Sequence, residues 1–440
     1  MSNATLGDVL VIGGGIAGLT SAHLLLRAGA NVTVLEATSS FGGLGTTFRH
    51  RERDLDCFYH VVLPTDEHLI RLCSELGVQD RLYWREASLG FMYRRRLYPL
   101  RGPGDLLRFS AVPLRDRLRL GLTALYAAHF ARSEGLDDIT AEMWLTRLSG
   151  RRAFGRLWRP LLEAKFGAAY RQVPALWYWA SFRREKGTGP EVKGYPRLGY
   201  HGLTDTLVSS LRKAGAQLLE NRPVEKLDLD GDGRPVVTTV DGEQRYDRVI
   251  STVPLVHLRR ICGNGRLGDR LASTDPGIDY QGVMNVLLLL DRPLTSHYWM
   301  PVVESGAPFD GIVETTRVLD LEDTGGHHLV YLLNYVHRDE PLFNREPERV
   351  IDEYVEALID LFPDLSRDSI EASFLFKAPF VEPLYSPGYG GRKPPAQLVP
   401  GRVYLATTAQ VYPQVTSWNS SAAVAEEAVS QMCQCAAETS

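Results

Sequence analysis

Residues 8–36, DVLVIGGGIAGLTSAHLLLRAGANVTVLE, decide the fold. Residues 8–12 are apolar and rich in β-branched side chains, the composition of a parallel strand buried on both faces. Gly13, Gly15 and Gly18 follow at once as G-x-G-x-x-G. The spacing predicts a helix over 17–28 ended by Gly29, a second strand over 31–35, and Glu36 at that strand's end. Glycines in this order allow a tight turn, close approach of backbone to a pyrophosphate, and close packing of helix on strand. The helix start then presents unsatisfied N–H groups to phosphate, and the acid stands where a ribose hydroxyl would be held. Together these elements predict a dinucleotide site. Gly13, Gly15, Ile16, Ala17 and Gly18 belong to its phosphate side and Glu36 to its ribose side.

Composition sets the frame around this unit. The chain has 440 residues, 44% of them hydrophobic, enough for a large core and two domains. A net charge of −4 gives no bulk electrostatic case for nucleic acid or for an anionic membrane. Cys57, Cys73, Cys262, Cys433 and Cys435 include no C-x-x-C pair, which predicts no metal site and no disulfide framework and points to a reducing cytoplasm. The apolar run near the start reads as a Rossmann strand and not as a signal peptide. No apolar run has the length of a membrane span.

Residues 37–45, ATSSFGGLG, place a second glycine cluster directly after Glu36. NAD sites on a Rossmann unit do without it. Flavin enzymes of the glutathione-reductase type carry such a doublet, where backbone passes close to the pyrophosphate and flavin. Residues 8–62 therefore resemble the FAD-dependent superfamily of amine oxidases, protoporphyrinogen oxidases, phytoene desaturases and UDP-galactopyranose mutases. The resemblance implies FAD as cofactor and adds Ala37, Gly42, Gly43 and Leu44 to its expected neighbours. It continues at three later places. Pro223–Val224 matches the segment that lays a backbone amide on the adenine, implicating Val224. Residues 247–254, DRVISTVP, resemble D-x-V-I-x-[ST]-x-P and bring in Thr252. Residues 401–408, GRVYLATT, resemble the final Rossmann strand, with Thr408 where an acid is usual and Gln410 as a possible stand-in. The following loop implicates Thr416, Trp418 and Ser420. That segment opens a closing helix whose dipole would favour negative charge on reduced flavin.

The resemblance implies an α/β architecture. A Rossmann-type FAD-binding domain with a parallel sheet discontinuous in sequence (1–100, 195–275, 385–440) would join an α+β substrate domain of mixed sheet and inserted helices (101–194, 276–384). Helices are expected over 66–77, 114–133, 140–148, 152–164 and 174–185. A strand is expected over 55–60, and a proline- and glycine-rich loop over 379–400. Residues 118–130 have a period that suits a membrane surface as well as domain packing, and packing is the reading adopted.

For catalysis the candidates are Tyr59 and His60, from the run LDCFYH that matches a family D-x-x-Y/H-H pattern through Asp56, and Tyr412 in the closing loop. Arg183, Arg184, Trp299, Arg317 and Tyr335 are candidates to reach the substrate, with Asn334 and His337 beside them. Each has a bland alternative as core or solvated surface. The literal G-x-G-x-x-G at Gly263, Gly265 and Gly268 follows an expected helix, not a strand, and no helix is expected to start there, so it is rejected as a second dinucleotide site. Amine oxidases of the superfamily carry a lysine eight residues before a proline at the end of the strand near 281–292. Counting back from Pro293 gives Asn285, a departure from the ordinary amine oxidase pattern.

The implied function is an FAD-dependent oxidase, dehydrogenase or desaturase taking a hydride from a small or amphipathic metabolite onto flavin N5 in a bacterial biosynthetic pathway. The alternative is a non-redox flavoenzyme resembling UDP-galactopyranose mutase. A flavin-binding protein without catalysis is the third reading.

Overall fold

The structure is a computed structural model that describes residues 6–100, 103–184, 191–197 and 199–438. Its first sheet has six strands in the order Gln397–Val399, Val403–Leu405, Arg248–Ser251, Asp8–Ile12, Asn31–Leu35, Gln217–Leu219. Asp8–Ile12 lies at the centre, parallel to both neighbours, with Val11 opposite Ile250 on one side and Val34 on the other. Only the edge strand Gln397–Val399 runs antiparallel. Val9, Leu10 and Val11 are fully buried, as helices covering both faces of a parallel sheet require. Helix Ile16–Arg27 follows the glycine turn and packs on the closing helix Trp418–Glu438.

The second sheet has seven strands in the order Ile370–Pro383, Tyr280–Leu290, His328–Asn334, Gly311–Glu314, Trp299–Val303, Gly90–Tyr93, Arg96–Pro99. All eleven residues of Tyr280–Leu290 are buried. One face carries helix Pro347–Leu361 through Val350, Tyr354 and Leu358. The helical block between residues 103 and 184 contains Leu114–His129, Ala141–Ser149, Arg159–Phe166 and Ala175–Arg184, close to the expected helices. Residue 185, the expected end of the last, lies outside the described residues.

Several expectations change. Gly90–Tyr93 and Arg96–Pro99 fall inside the span 1–100 assigned to the first domain, yet they extend the second sheet, with Met92 beside Val302 and Tyr93 beside Val303. Sequence shows the hairpin but not the distant strand that receives it. The strand expected over 55–60 ends at Asp56. There the buried Asp56 carboxylate accepts from Tyr195 Oη at 2.5 Å and from Tyr200 N at 3.1 Å, drawing the chain out of its hairpin. The loop expected from 379 begins later, because Ile370–Pro383 is a strand of 14 residues pairing along Tyr280–Leu290. A helix, Arg266–Ala272, does start at the rejected glycine motif.

Candidate active site

A cavity of about 440 Å³ opens where four of the parallel strands end. This is the crevice in which open α/β sheets bind ligands. Asp8–Ile12 delivers Gly13 and Gly15, Asn31–Leu35 delivers Glu36, Arg248–Ser251 delivers Thr252, and Val403–Leu405 delivers Ala406 and Thr408. Gly15 forms an isolated parallel bridge with Gly42, and Gly42 N donates to Gly14 O at 2.9 Å. A Cβ on Gly43 would come within 3.1 Å of Gly15 Cα, so the two glycine segments meet with no room for side chains. Helix Ile16–Arg27 has no side-chain cap and no acid in its first turn. Its leading N–H groups are thus left for an anion. Glu36 is fixed by Gly14 N at 2.7 Å and by Thr38 N and Oγ1, both at 2.8 Å. A carboxylate has lone pairs left for one more donor.

The other expected residues divide. Ile16, Ala17, Leu44, Thr416 and Trp418 line the cavity. Gly18 lies beneath the turn, where a Cβ would sit 1.9 Å from Gly13 O, so its role is packing. Ala37 and Val224 lie off the cavity wall. The segment before Val224 nonetheless runs beside Glu36, through Arg222 N to Glu36 O at 2.8 Å. Ser420 turns inward to accept from Ser417 N at 2.8 Å, and Ser421 faces the cavity in its place. Gln410 is spent on Thr407 N at 2.8 Å, which leaves Thr408 at the wall.

At the far end the cavity runs into the second sheet. Tyr59 Oη and Tyr335 Oη are 3.1 Å apart, joining two residues read separately from sequence. Burial pushes both phenols up, Tyr335 to about 12, so neither ionises near neutral pH. His60 Nε2 lies 2.8 Å from Leu44 O, and burial pushes its pKa down to about 4. The ring is therefore neutral at neutral pH, with its proton on Nε2 facing the carbonyl. Asn285 lines the cavity; its Nδ2 donates to Cys57 O at 2.6 Å, and its buried Oδ1 has no partner in the chain.

The remaining sequence candidates do not converge here. Tyr412 donates to Asp137 and packs among Tyr385 and Tyr389, away from the cavity wall. Arg183 donates to Ala128 O at 3.0 Å, and Arg317 is held by the buried Glu314 at 2.7 Å. Arg184 does line the cavity, but its guanidinium is committed to the buried Asp66 at 3.1 Å. Trp299 stacks behind Tyr59 with ring centroids 6.4 Å apart. Asn334 donates to Pro308 O, and His337 pairs with Asp279 at 3.1 Å.

Two residues that sequence reading missed complete this end. Lys165 Nζ lies 3.2 Å from Glu382 Oε2, and both line the cavity. Glu382 is 2% exposed, and burial raises its pKa against the opposing pull of Lys165. Its Oε1, with Trp177 Nε1 and Thr416 Oγ1, forms no hydrogen bond of normal geometry. Buried polar atoms of this kind generally have partners. The one hint in the sequence was a lone acid at 382 in the otherwise uncharged run 378–386.

The family model for flavin-containing amine oxidoreductases matches residues 16–417. The chain belongs to that family. Its cofactor is FAD, and the paired glycine segments, the uncapped helix start and the unpartnered Asn285 and Thr416 atoms fit such a group. Flavin-containing amine oxidase of Danio rerio is 26% identical over 262 residues, covering 56% of this chain and 50% of that protein. The chain thus spans about half the length of the curated relatives it matches. An oxidoreductase from Methanosarcina mazei superposes with TM-score 0.74 at 17% identity, over 96% of this chain and 99% of that one. Reduced UDP-galactopyranose mutase gives TM-score 0.73 at 17% identity, over 96% and 94%. These superpositions show a shared fold: the Rossmann unit with its substrate-side sheet.

Proposed function

We propose that this protein is an FAD-dependent oxidoreductase that removes a hydride from a compact polar substrate held between Tyr59–Tyr335 and Lys165–Glu382. The observation that carries the reading is the continuity of one cavity from the glycine cradle to that polar end. FAD, when bound, supplies the hydride acceptor at N5. On this reading Gly13, Gly15, Ile16 and Ala17 hold the pyrophosphate through backbone N–H groups, Glu36 holds a ribose hydroxyl, and Gly42, Gly43 and Leu44 lie along the flavin side. Thr252, Thr408, Thr416, Trp418 and Ser421 form the opposite wall. Tyr59 and Tyr335 stay protonated and orient the substrate by hydrogen bonding. Neutral His60 holds the Leu44 loop. Glu382 Oε1 accepts a hydrogen bond from a substrate N–H or O–H, and its raised proton affinity suits it to receive that proton as hydride leaves the adjacent carbon. The neutral Asn285 stands where amine oxidases carry a lysine, which favours oxidase, dehydrogenase or desaturase chemistry on a substrate other than a simple amine.

A mutase-like reading would call for free arginines at the cavity. Arg184 is the one arginine among the described lining residues, and Asp66 already holds it. The deciding experiment is anaerobic mixing of holoprotein with fractionated metabolites while following flavin absorbance near about 450 nm. Bleaching by a substrate, slowed by Glu382→Gln at unchanged FAD content, is expected. Turnover that appears only after dithionite prereduction would overturn the proposal in favour of non-redox chemistry.

A further inference from the structure

Large hydrophobic side chains are exposed at twelve places among the described residues, and seven of them, Leu107, Leu114, Leu118, Leu122, Leu125, Tyr126 and Phe130, fall within 24 residues of chain. Five lie on the 16-residue helix Leu114–His129 at spacings of three and four, a stripe along its outward face. The exposures of the seven run from 45% for Tyr126 to 68% for Phe130. Soluble monomers rarely keep so continuous an apolar strip in water, and one this size marks an interaction site.

The helix is fixed to the body by its other face. Leu120, Thr123 and Ala127 are buried, and it packs on Ala141–Ser149 and Ala175–Arg184. Trp179 Nε1 donates to Ala131 O and Arg183 Nη1 to Ala128 O, both at 3.0 Å. Arg119 reaches Leu148 O at 3.2 Å. The stripe is thus held outward by inward-facing bonds and is not a loose helix awaiting a core.

Charge selects the occupant. Residues 104–132 carry five arginines against two aspartates, a local excess of positive charge on a chain whose net charge is −4. Arg115, Arg132, Arg147 and Arg151 are exposed on this helix and the turns beside it, while Arg108 and Arg152, also exposed, pair with Asp105 at 3.7 Å and Asp116 at 3.9 Å. Exposed Met143, on the helix packed alongside, widens the apolar surface. An apolar strip rimmed by arginine is complementary to acyl chains beneath anionic headgroups. No helix among the described residues is long and apolar enough to cross a membrane. A helix of this length spans about 24 Å and would lie in the interface plane.

We propose that helix Leu114–His129 docks this protein onto an anionic phospholipid surface, its leucine stripe entering the headgroup boundary and its flanking arginines pairing with lipid phosphate. The docking face is one helix away from the cavity, since Ala175–Arg184 packs against it and ends at Arg184 on the cavity wall. The proposal stands independently of the reaction.

The test is cosedimentation of the holoprotein with large vesicles of phosphatidylcholine alone, or with about one third phosphatidylglycerol, at low and high salt. Binding to the anionic vesicles is expected, weakened about tenfold or more by high salt and by omission of phosphatidylglycerol. Leu118→Ser, Leu122→Ser and Leu125→Ser combined should reduce binding by about tenfold or more, with FAD content and helical circular dichroism unchanged. Arg115→Glu with Arg132→Glu should remove the preference for phosphatidylglycerol. Absence of binding to anionic vesicles at low salt overturns the proposal, as does undiminished binding of the leucine variant. Sedimentation velocity without lipid supplies the last arm. A dimer that the leucine substitutions convert to monomer would assign the face to a second copy of this chain and overturn the lipid assignment.

Discussion

Two glycine turns in this chain carry the same six-residue pattern and enter their helices alike, yet only the first opens on the cavity. Gly15 and Gly265 precede their helices with (φ, ψ) of (−72°, −179°) and (−80°, −178°). A Cβ on Gly18 would lie 1.9 Å from Gly13 O, and one on Gly268 would lie 2.0 Å from Gly263 O. The difference lies in what stands opposite. After the strand Asp8–Ile12, the turn meets Gly42 and Gly43 backbone to backbone, and both segments line the cavity. After the helix Leu255–Cys262, it faces Asp228, whose Oδ1 accepts from Leu267 N at 3.1 Å and whose Oδ2 lies 2.1 Å from where a Gly265 Cβ would be. The second turn is an anion cradle filled by the chain's own carboxylate. A glycine motif therefore specifies a turn that presents N–H groups, and the surrounding topology decides whether a ligand or a side chain receives them.

That contrast can be broken experimentally. Gly18→Ala and Gly268→Ala insert the same methyl against the same kind of carbonyl, so each should cost about 3 kcal/mol in denaturant unfolding. Only Gly18→Ala should also lose flavin from the purified protein. Equal flavin loss in both would mean that stability, and not the cradle, governs retention.

His60 supplies the next effect. It braces Leu44 beside the first turn. Its pKa falls from 6.5 to about 4 on folding, so between those values the unfolded chain binds a proton that the folded one does not. Stability should fall as pH drops through that window, with a slope of up to about 1.4 kcal/mol per pH unit. His60→Asn should flatten that slope in urea titrations of the holoprotein. A wild-type curve already flat from pH 6.5 to 4 would remove His60 from the account.

Glu36→Gln removes the charge and one of the two oxygens that accept from Gly14 N and from Thr38, and should raise the FAD dissociation constant about tenfold, read by fluorescence on reconstitution. Asp228→Ala should cost about 1 kcal/mol as a lost helix cap while the stoichiometry stays at one FAD per chain. A second equivalent of bound dinucleotide in that variant would show that the carboxylate alone was holding the second cradle closed.

The cofactor half was legible because its determinants are local. Strand, turn, helix and acid fall within residues 8–36, and the glycine doublet follows directly. The substrate half was legible only in outline. Tyr59 and Tyr335 were each singled out, but their hydroxyl contact spans 276 positions of sequence and no local pattern announces it. Lys165 lies just past the helix expected over 152–164 and no pattern singled it out, and Glu382 fell where a loop was expected. Tyr412 failed for the opposite reason. Thr416 and Trp418 of the same loop line the cavity, but the chain turns the Tyr412 phenol toward Asp137. Arg184 shows a further limit, since composition reports a charge but not the buried Asp66 that claims it.

The central strand Asp8–Ile12 takes one neighbour from Arg248–Ser251, and that strand in turn takes Val403–Leu405. A ribosome therefore delivers the middle of the first sheet long before its flank, and the closing helix that packs on Ile16–Arg27 comes later still. Through most of synthesis the nascent chain carries an unfinished parallel sheet with an open edge, the condition under which slow, non-local folding and aggregation compete. A chain arrested before residue 403 would hold Asp8–Ile12 between both its neighbours yet lack the outer strand Val403–Leu405 and the helix that closes over Ile16–Arg27, whatever the integrity of the glycine turn made first.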